Sequence, residues 1–108
     1  MSQRRNVKIG EELMHRAAEF FARTANRDTL LTVTNADISP DMRRATILFT
    51  VYPESKETAA LSFANRQRSE FREYLKGNTR LKYLPAIEFA LDLGEKNRQR
   101  IDDLTNEK

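Results

Sequence analysis

Apolar residues recur at helical spacing over residues 7–25. Ile9, Leu13, Ala17 and Phe20 form one row, and Met14, Ala18 and Phe21 form a second beside it. The polar face carries Glu12 with Arg16 and Glu19 with Arg23, i,i+4 pairs in the favourable order. Asn26-Arg27-Asp28 ends this helix with turn-forming residues. The period then changes to two. Residues 30–39 are rich in β-branched and apolar side chains (Leu31, Thr32, Val33, Thr34, Ile38). Their alternation slips between Val33 and Ala36, which predicts a bulge near Asn35. Ser39-Pro40-Asp41 is a turn signal. Residues 45–52 alternate cleanly, with Ala45, Ile47, Phe49 and Val51 on one face and Thr46, Leu48, Thr50 and Tyr52 on the other. The pair reads as a hairpin.

After Pro53, Ser55 is placed to cap a second helix that begins at about Lys56. Its apolar row of Ala60, Leu61 and Ala64 resumes only at Phe71, Tyr74 and Leu75. Six polar residues, Asn65-Arg66-Gln67-Arg68-Ser69-Glu70, lie between. Either one helix kinks there or two helices meet. Ser69 followed by Glu70 fits a fresh N-cap with an acid in the first turn, and Gly77-Asn78 supplies the stop. A third strand after Pro85 points Ile87, Phe89 and Leu91 one way and Glu88, Ala90 and Asp92 the other. Residues 95–104 read as a short polar helix that docks through Ile101 and Leu104. The order is α-β-β-α-kink-α-β with a short C-terminal helix, an α+β domain with helices on one sheet face. Leu13, Phe20, Ile47, Phe49, Ile87 and Phe89 are the expected core.

A length of 108 residues, 32% of them charged, suits one domain over 1–108. No apolar run approaches the ~18 residues of a membrane span. The basic start, Arg4-Arg5, leads into charged residues rather than an apolar stretch, so no secretory signal is expected and the cytoplasm is the default location. With no cysteine and one histidine, disulfides, thiolate zinc sites, cysteine nucleophiles and His-rich metal centres are excluded. The net charge of +3 is unevenly spread. Residues 62–87 hold six basic side chains (Arg66, Arg68, Arg72, Lys76, Arg80, Lys82) against Glu70 and Glu73, and residues 1–27 carry a second basic surplus. Concentrated positive charge recruits a polyanion; a solvated helix face is the plainer alternative.

Catalytic chemistry has little to stand on. His15, four residues after Glu11, is a surface histidine beside a carboxylate, and Asp37 and Asp41 are explained by the hairpin turn. Asp102-Asp103 are adjacent and cannot share a helix face. There is no Walker loop, Gly-x-Gly-x-x-Gly run or nucleophile elbow. The stretch 66–82 is more informative. A broken helix presents a fresh N-terminus that favours a phosphate, with arginines around it to grip the nucleic-acid backbone. Of its aromatic neighbours Phe71, Tyr74 and Tyr83, the first two sit at core spacing rather than as stacking platforms.

The order of elements and several local runs resemble the ribosome-binding factor A family of bacterial small-subunit maturation factors, over nearly the whole chain. Arg5-Asn6-Val7 leads into Ile9 and Leu13, and Val33-Thr34 is followed by Ile38-Ser39-Pro40-Asp41-Met42-Arg43 and Ala45-Thr46-Ile47. The strongest run is Arg80-Leu81-Lys82-Tyr83-Leu84-Pro85-Ala86-Ile87-Glu88-Phe89-Ala90-Leu91-Asp92. The resemblance implies a KH-like domain of type II topology in which an Ala-x-Gly kink replaces the Gly-x-x-Gly loop. Here the kink falls at Gln67, Arg68 and Ser69, with Gln in place of Ala and Ser in place of Gly.

The resemblance further implies a non-enzymatic, monomeric RNA-binding factor without cofactor, metal, membrane or small-molecule substrate. Its expected partners are 16S ribosomal RNA and the immature 30S ribosomal subunit, whose maturation and rRNA processing it assists. The basic residues assigned to RNA are Arg4, Arg5, Lys8, Arg66, Arg68, Arg72, Lys76, Arg80 and Lys82. The alternative is a small protein–protein module that binds no RNA.

Overall fold

The computed structural model describes residues 2–24 and 28–95, with side chains from Asn6 onward. Helix α1 (Ser2–Thr24) is followed by strands β1 (Leu30–Ile38) and β2 (Arg44–Tyr52). Helices α2 (Glu57–Arg66) and α3 (Arg68–Asn78) come next, then strand β3 (Ala86–Leu91). This is the α+β order expected from the sequence. The sheet runs β1-β2-β3, with β1 antiparallel and β3 parallel to β2. The β1–β2 register slips between Val33 and Asn35, where the change of phase predicts a bulge. The slip matters because a one-residue offset would turn the apolar side chains of half the strand to the wrong face.

The helices cover the face that β2 and β3 line with Ala45, Ile47, Phe49, Val51, Ile87 and Phe89, all buried. From the other side come Leu13, Ala17, Phe20 and Phe21 of α1, Ala60 and Ala64 of α2, and Phe71 and Leu75 of α3. The six residues expected at the core are all in this cluster. Four phenylalanines close a ring within it. Phe20 lies 5.4 Å from Phe21, Phe21 lies 5.0 Å from Phe89, Phe89 lies 5.5 Å from Phe71, and Phe71 lies 5.3 Å from Phe20. The second row read on the first helix is thinner than expected, because Ala18 is exposed and Met14 only half-buried.

Four local expectations are corrected. Ser55 caps nothing: it sits in a 3-10 turn (Glu54–Lys56), and α2 starts without a side-chain cap, just after a cis Tyr52–Pro53 peptide. Ser69 is likewise not a cap, since α3 begins one residue earlier and Gln67 holds the cap position, with no side-chain cap bond. His15 approaches Glu19 at 3.8 Å rather than Glu11. Arg23 lies over the Tyr74 ring, 5.6 Å from its centroid, because Glu19 takes Arg16 at 2.8 Å and the Tyr74 hydroxyl at 3.3 Å. The hairpin turn is an aspartate turn: Asp41 accepts the Ser39 hydroxyl and the Arg43 amide, and Met42 has a φ of 62°. The turn Asn26-Arg27 and the terminal helix with Ile101 and Leu104 fall outside the described residues.

Candidate nucleic-acid interface

The polar interruption is a real break between two helices. Gln67 has φ −90° and ψ 5°, and its amide reaches both Phe63 O and Ala64 O at 3.1 and 3.0 Å. The first amide to bond into α3 is that of Phe71, to Gln67 O at 2.8 Å, which leaves the amides of residues 68–70 as the opening turn. Arg68 donates from Nε to Asn65 O at 3.1 Å, closing one of the carbonyls the break releases. Asn65 does more. Its Nδ2 donates to Leu61 O at 3.2 Å and Phe89 O at 3.3 Å, while its Oδ1 accepts the Phe89 amide at 3.3 Å. The side-chain amide thus behaves as a short piece of strand against the open edge of β3, and it pins the break to the sheet.

Beyond the break, Arg68, Arg72 and Lys76 recur at i,i+4 spacing and form one stripe along α3. Arg68 and Lys76 are exposed and Arg72 is half-buried. Arg72 spends two donors on the chain that follows, Nη1 to Pro85 O at 2.9 Å and Nη2 to Leu84 O at 3.4 Å. Those bonds fix the loop between α3 and β3 against the helix. Leu81 and Leu84 pack onto the core from the same loop, and the Ala86 amide reaches Arg43 O at 2.8 Å. Arg72, Lys76 and Lys82 therefore border one crevice of about 340 Å³ with Leu81, Tyr83 and Leu84. Lys76 also meets Glu73 at 3.1 Å on the exposed helix surface.

Arg80 lies on the other flank of the loop, in a hollow shared with Glu12, Arg16, Leu81 and residues 77–79. Leu81 divides the two. Lys8, exposed, is one turn before Glu12 on the same face of α1 and extends this flank. The positive charge of Arg16 is already committed. Hydrogen bonds to Glu19 and then to Glu12 raise its pKa further, and the same bond from Arg16 holds Glu19 below the ordinary glutamate range.

The residues singled out in the sequence are thus only partly gathered. Arg72, Lys76 and Lys82 line one flank of the 79–84 loop and Arg80 lies on the other, with Arg68 one turn before Arg72 on α3 and Lys8 one turn before Glu12 on α1. Arg66 ends α2 and faces a separate apolar crevice with Lys56, Ala59, Phe63 and Leu31. Arg4 and Arg5 lie on the first turns of α1, outside the described side chains. Two functional features escaped the sequence reading, the amide clamp of Asn65 and the anchoring of the loop by Arg72. For Arg72 a signal existed. It directly follows Phe71 on a helix that buries Phe71 and Leu75, so its stem borders the core face.

Known proteins share this fold. The family model described as ribosome-binding factor A matches residues 5–105. A ribosome-binding factor A from Trichlorobacter lovleyi is 31% identical over 114 aligned positions, covering 99% of this chain and 89% of its own. The one from Rhodospirillum rubrum is 31% identical over 93 positions, covering 82% of this chain but 57% of its own length. The crystal structure of ribosome-binding factor A from Thermus thermophilus superposes with a TM-score of 0.69 at 23% identity, covering 79% of this chain and 93% of that one, a match of fold. With a family model spanning most of its length and the same order of helices and strands, this chain belongs to the ribosome-binding factor A family.

Proposed function

We propose that the chain binds the immature 30S ribosomal subunit through its 16S ribosomal RNA and assists maturation and rRNA processing, as a cytoplasmic, monomeric single domain that catalyses no covalent step. The observation that carries this reading is the basic band around the 79–84 loop. Lys76 on α3 and Lys82 in the loop present cations on one flank, Arg80 with Lys8 on the other, and Arg68 continues the α3 stripe. The loop is held in place by Arg72 and by two half-buried leucines packed against the core, so its cations are displayed on a fixed frame. Phosphates along an RNA backbone match such a band, because each neutralised phosphate releases condensed counterions. Arg4, Arg5 and Arg66 extend the charge beyond the band.

Five phosphate contacts give a slope of log affinity against log salt of roughly −3.5 to −4.5. Between 50 and 200 mM salt, binding to ribosomal RNA then weakens by about two to three decades. Sedimentation with precursor small subunits is the direct assay. Reversing charge at Lys76 and Lys82 together abolishes co-sedimentation, while reversal at Lys56, exposed and outside the band, leaves it intact. Equal losses from both, or a salt-independent association that survives the double reversal, would replace this reading with protein docking.

A further inference from the structure

We propose that Tyr83 is a stacking platform for one unpaired base of the bound RNA, with Lys82 and Lys76 taking the adjoining phosphates. This rests on the reading of the chain as an RNA binder and assigns that surface its base-contacting residue. Tyr83 is 82% exposed, the most exposed of the large apolar side chains described, ahead of Tyr52 at 73%. Its exposure does not come from a loose loop. Arg72 grips the carbonyls of Leu84 and Pro85, Pro85 is buried, and Leu81 and Leu84 pack on the core, so the chain is tied down on both sides of the ring.

An aromatic ring left in water at the tip of an anchored segment gains nothing from folding. It is, however, pre-ordered for a partner with an apolar flat face. Lys82 Nζ lies over the ring, 5.8 Å from its centroid, which sets a cation on one face and makes the opposite face the one proposed for the base. Three cations, Arg72, Lys76 and Lys82, line the crevice with Tyr83, and among the described residues no carboxylate does; Glu73 pairs with Lys76 at 3.1 Å on the exposed helix surface. Flat apolar surface bordered by cations fits a nucleotide, whose base stacks while its phosphates meet the charges. The base must be unpaired, since a base inside a helix offers no free face to a protein ring.

The test uses the full chain, a labelled single-stranded RNA of mixed sequence and a blunt RNA duplex, with affinities read by anisotropy. Tyr83→Ala weakens single-strand binding by about 5- to 150-fold and leaves the salt slope unchanged, because no phosphate contact is lost. Duplex binding does not move, and Tyr83→Trp restores the single-strand affinity. The chain has no tryptophan, so the indole introduced by Tyr83→Trp is also a unique fluorophore that single-stranded RNA quenches. The melting temperature stays put in both variants, since the ring is exposed. Wild-type single-strand affinity in Tyr83→Ala, alongside loss in a Lys76→Glu/Lys82→Glu variant, overturns the stacking role and keeps RNA binding. Binding of neither RNA by the unaltered chain overturns both. Loss of subunit binding with unchanged affinity for free RNA assigns Tyr83 to a protein contact instead.

Discussion

Asn65 is one half-buried side chain serving three backbone groups on two elements, so its removal gives a sharp test of how the helix break is held. In Asn65→Ala the Phe89 amide loses its acceptor, and Phe89 O and Leu61 O lose a donor. Leaving a buried polar group unmet costs about 1–3 kcal/mol. The bonds here are 3.2–3.3 Å long, and water can reach a half-buried site, which places the expected loss in the lower part of that range, about 1–2 kcal/mol. For a small domain this lowers the melting temperature by roughly 5–15 °C.

Asn65→Leu separates packing from hydrogen bonding. It keeps most of the volume and none of the polar contacts, so it should be no more stable than the alanine variant. Circular dichroism melts give the stability, and amide exchange at Phe89 gives the local effect. The Phe89 amide should exchange faster in both variants relative to buried amides of β2, such as Ile47. A leucine variant as stable as the parent, with unchanged exchange at Phe89, would refute the clamp and leave the break held by apolar packing alone.

Phe89→Ala opens the four-ring cluster and should cost about 3–5 kcal/mol, read by urea unfolding; a loss under about 1 kcal/mol would mean the ring is not the centre of the core. Ser69→Ala, an exposed change inside the first turn of α3, should fall within about 0.5 kcal/mol of the parent, and Ser69→Gly should lose no more than roughly 0.5 kcal/mol, since Ser already lies between Ala and Gly in helix propensity. Glu19 titrates below its ordinary range, mainly through its hydrogen bond from Arg16, so its contribution is present above that range and fades as pH falls through the lowered value. Glu19→Gln should therefore flatten the acid side of the melting-temperature profile below about pH 4, and an unchanged profile would remove that contribution.

The fold was largely legible because its signals are periodic. The two-residue alternation of residues 45–52 fixes which side of β2 is buried, and the phase slip at Val33 marks the bulge. The break was legible for a related reason, since six polar residues interrupt an apolar row that a straight helix would continue. Its details were not. A serine before an acid looks like a cap, yet α3 begins one residue earlier, because Phe71 must reach the core and its amide bonds to Gln67 O. Asn65 and Arg72 were hidden because their partners are backbone groups 24 and 12–13 residues away, and no spacing rule connects a side chain to a distant carbonyl. Charge alone equally could not divide Arg66 from Lys76, since that division depends on which way each helix turns its last residues.

The break also shows how this chain manages with Gln67-Arg68-Ser69 where the family resemblance implies Ala-x-Gly. Gln67 turns at φ −90°, ψ 5°, and among the described non-glycine residues the positive φ belongs to Met42, in the hairpin turn. No position in the break demands the conformational freedom of glycine, so the Cβ of Ser69 meets no backbone prohibition and its side chain stays in solvent. The carbonyls released at the end of α2 are met by other means, Phe63 O and Ala64 O by the Gln67 amide and Asn65 O by Arg68, while the Asn65 side chain adds a second donor to Leu61 O. The bend therefore rests on side-chain hydrogen bonds, and Arg68 has two duties, closing the break and starting the basic stripe. A loss of RNA binding on replacing Arg68 mixes those duties. Lys76 and Lys82 support no backbone carbonyl among the described bonds, so their replacement leaves the break undisturbed.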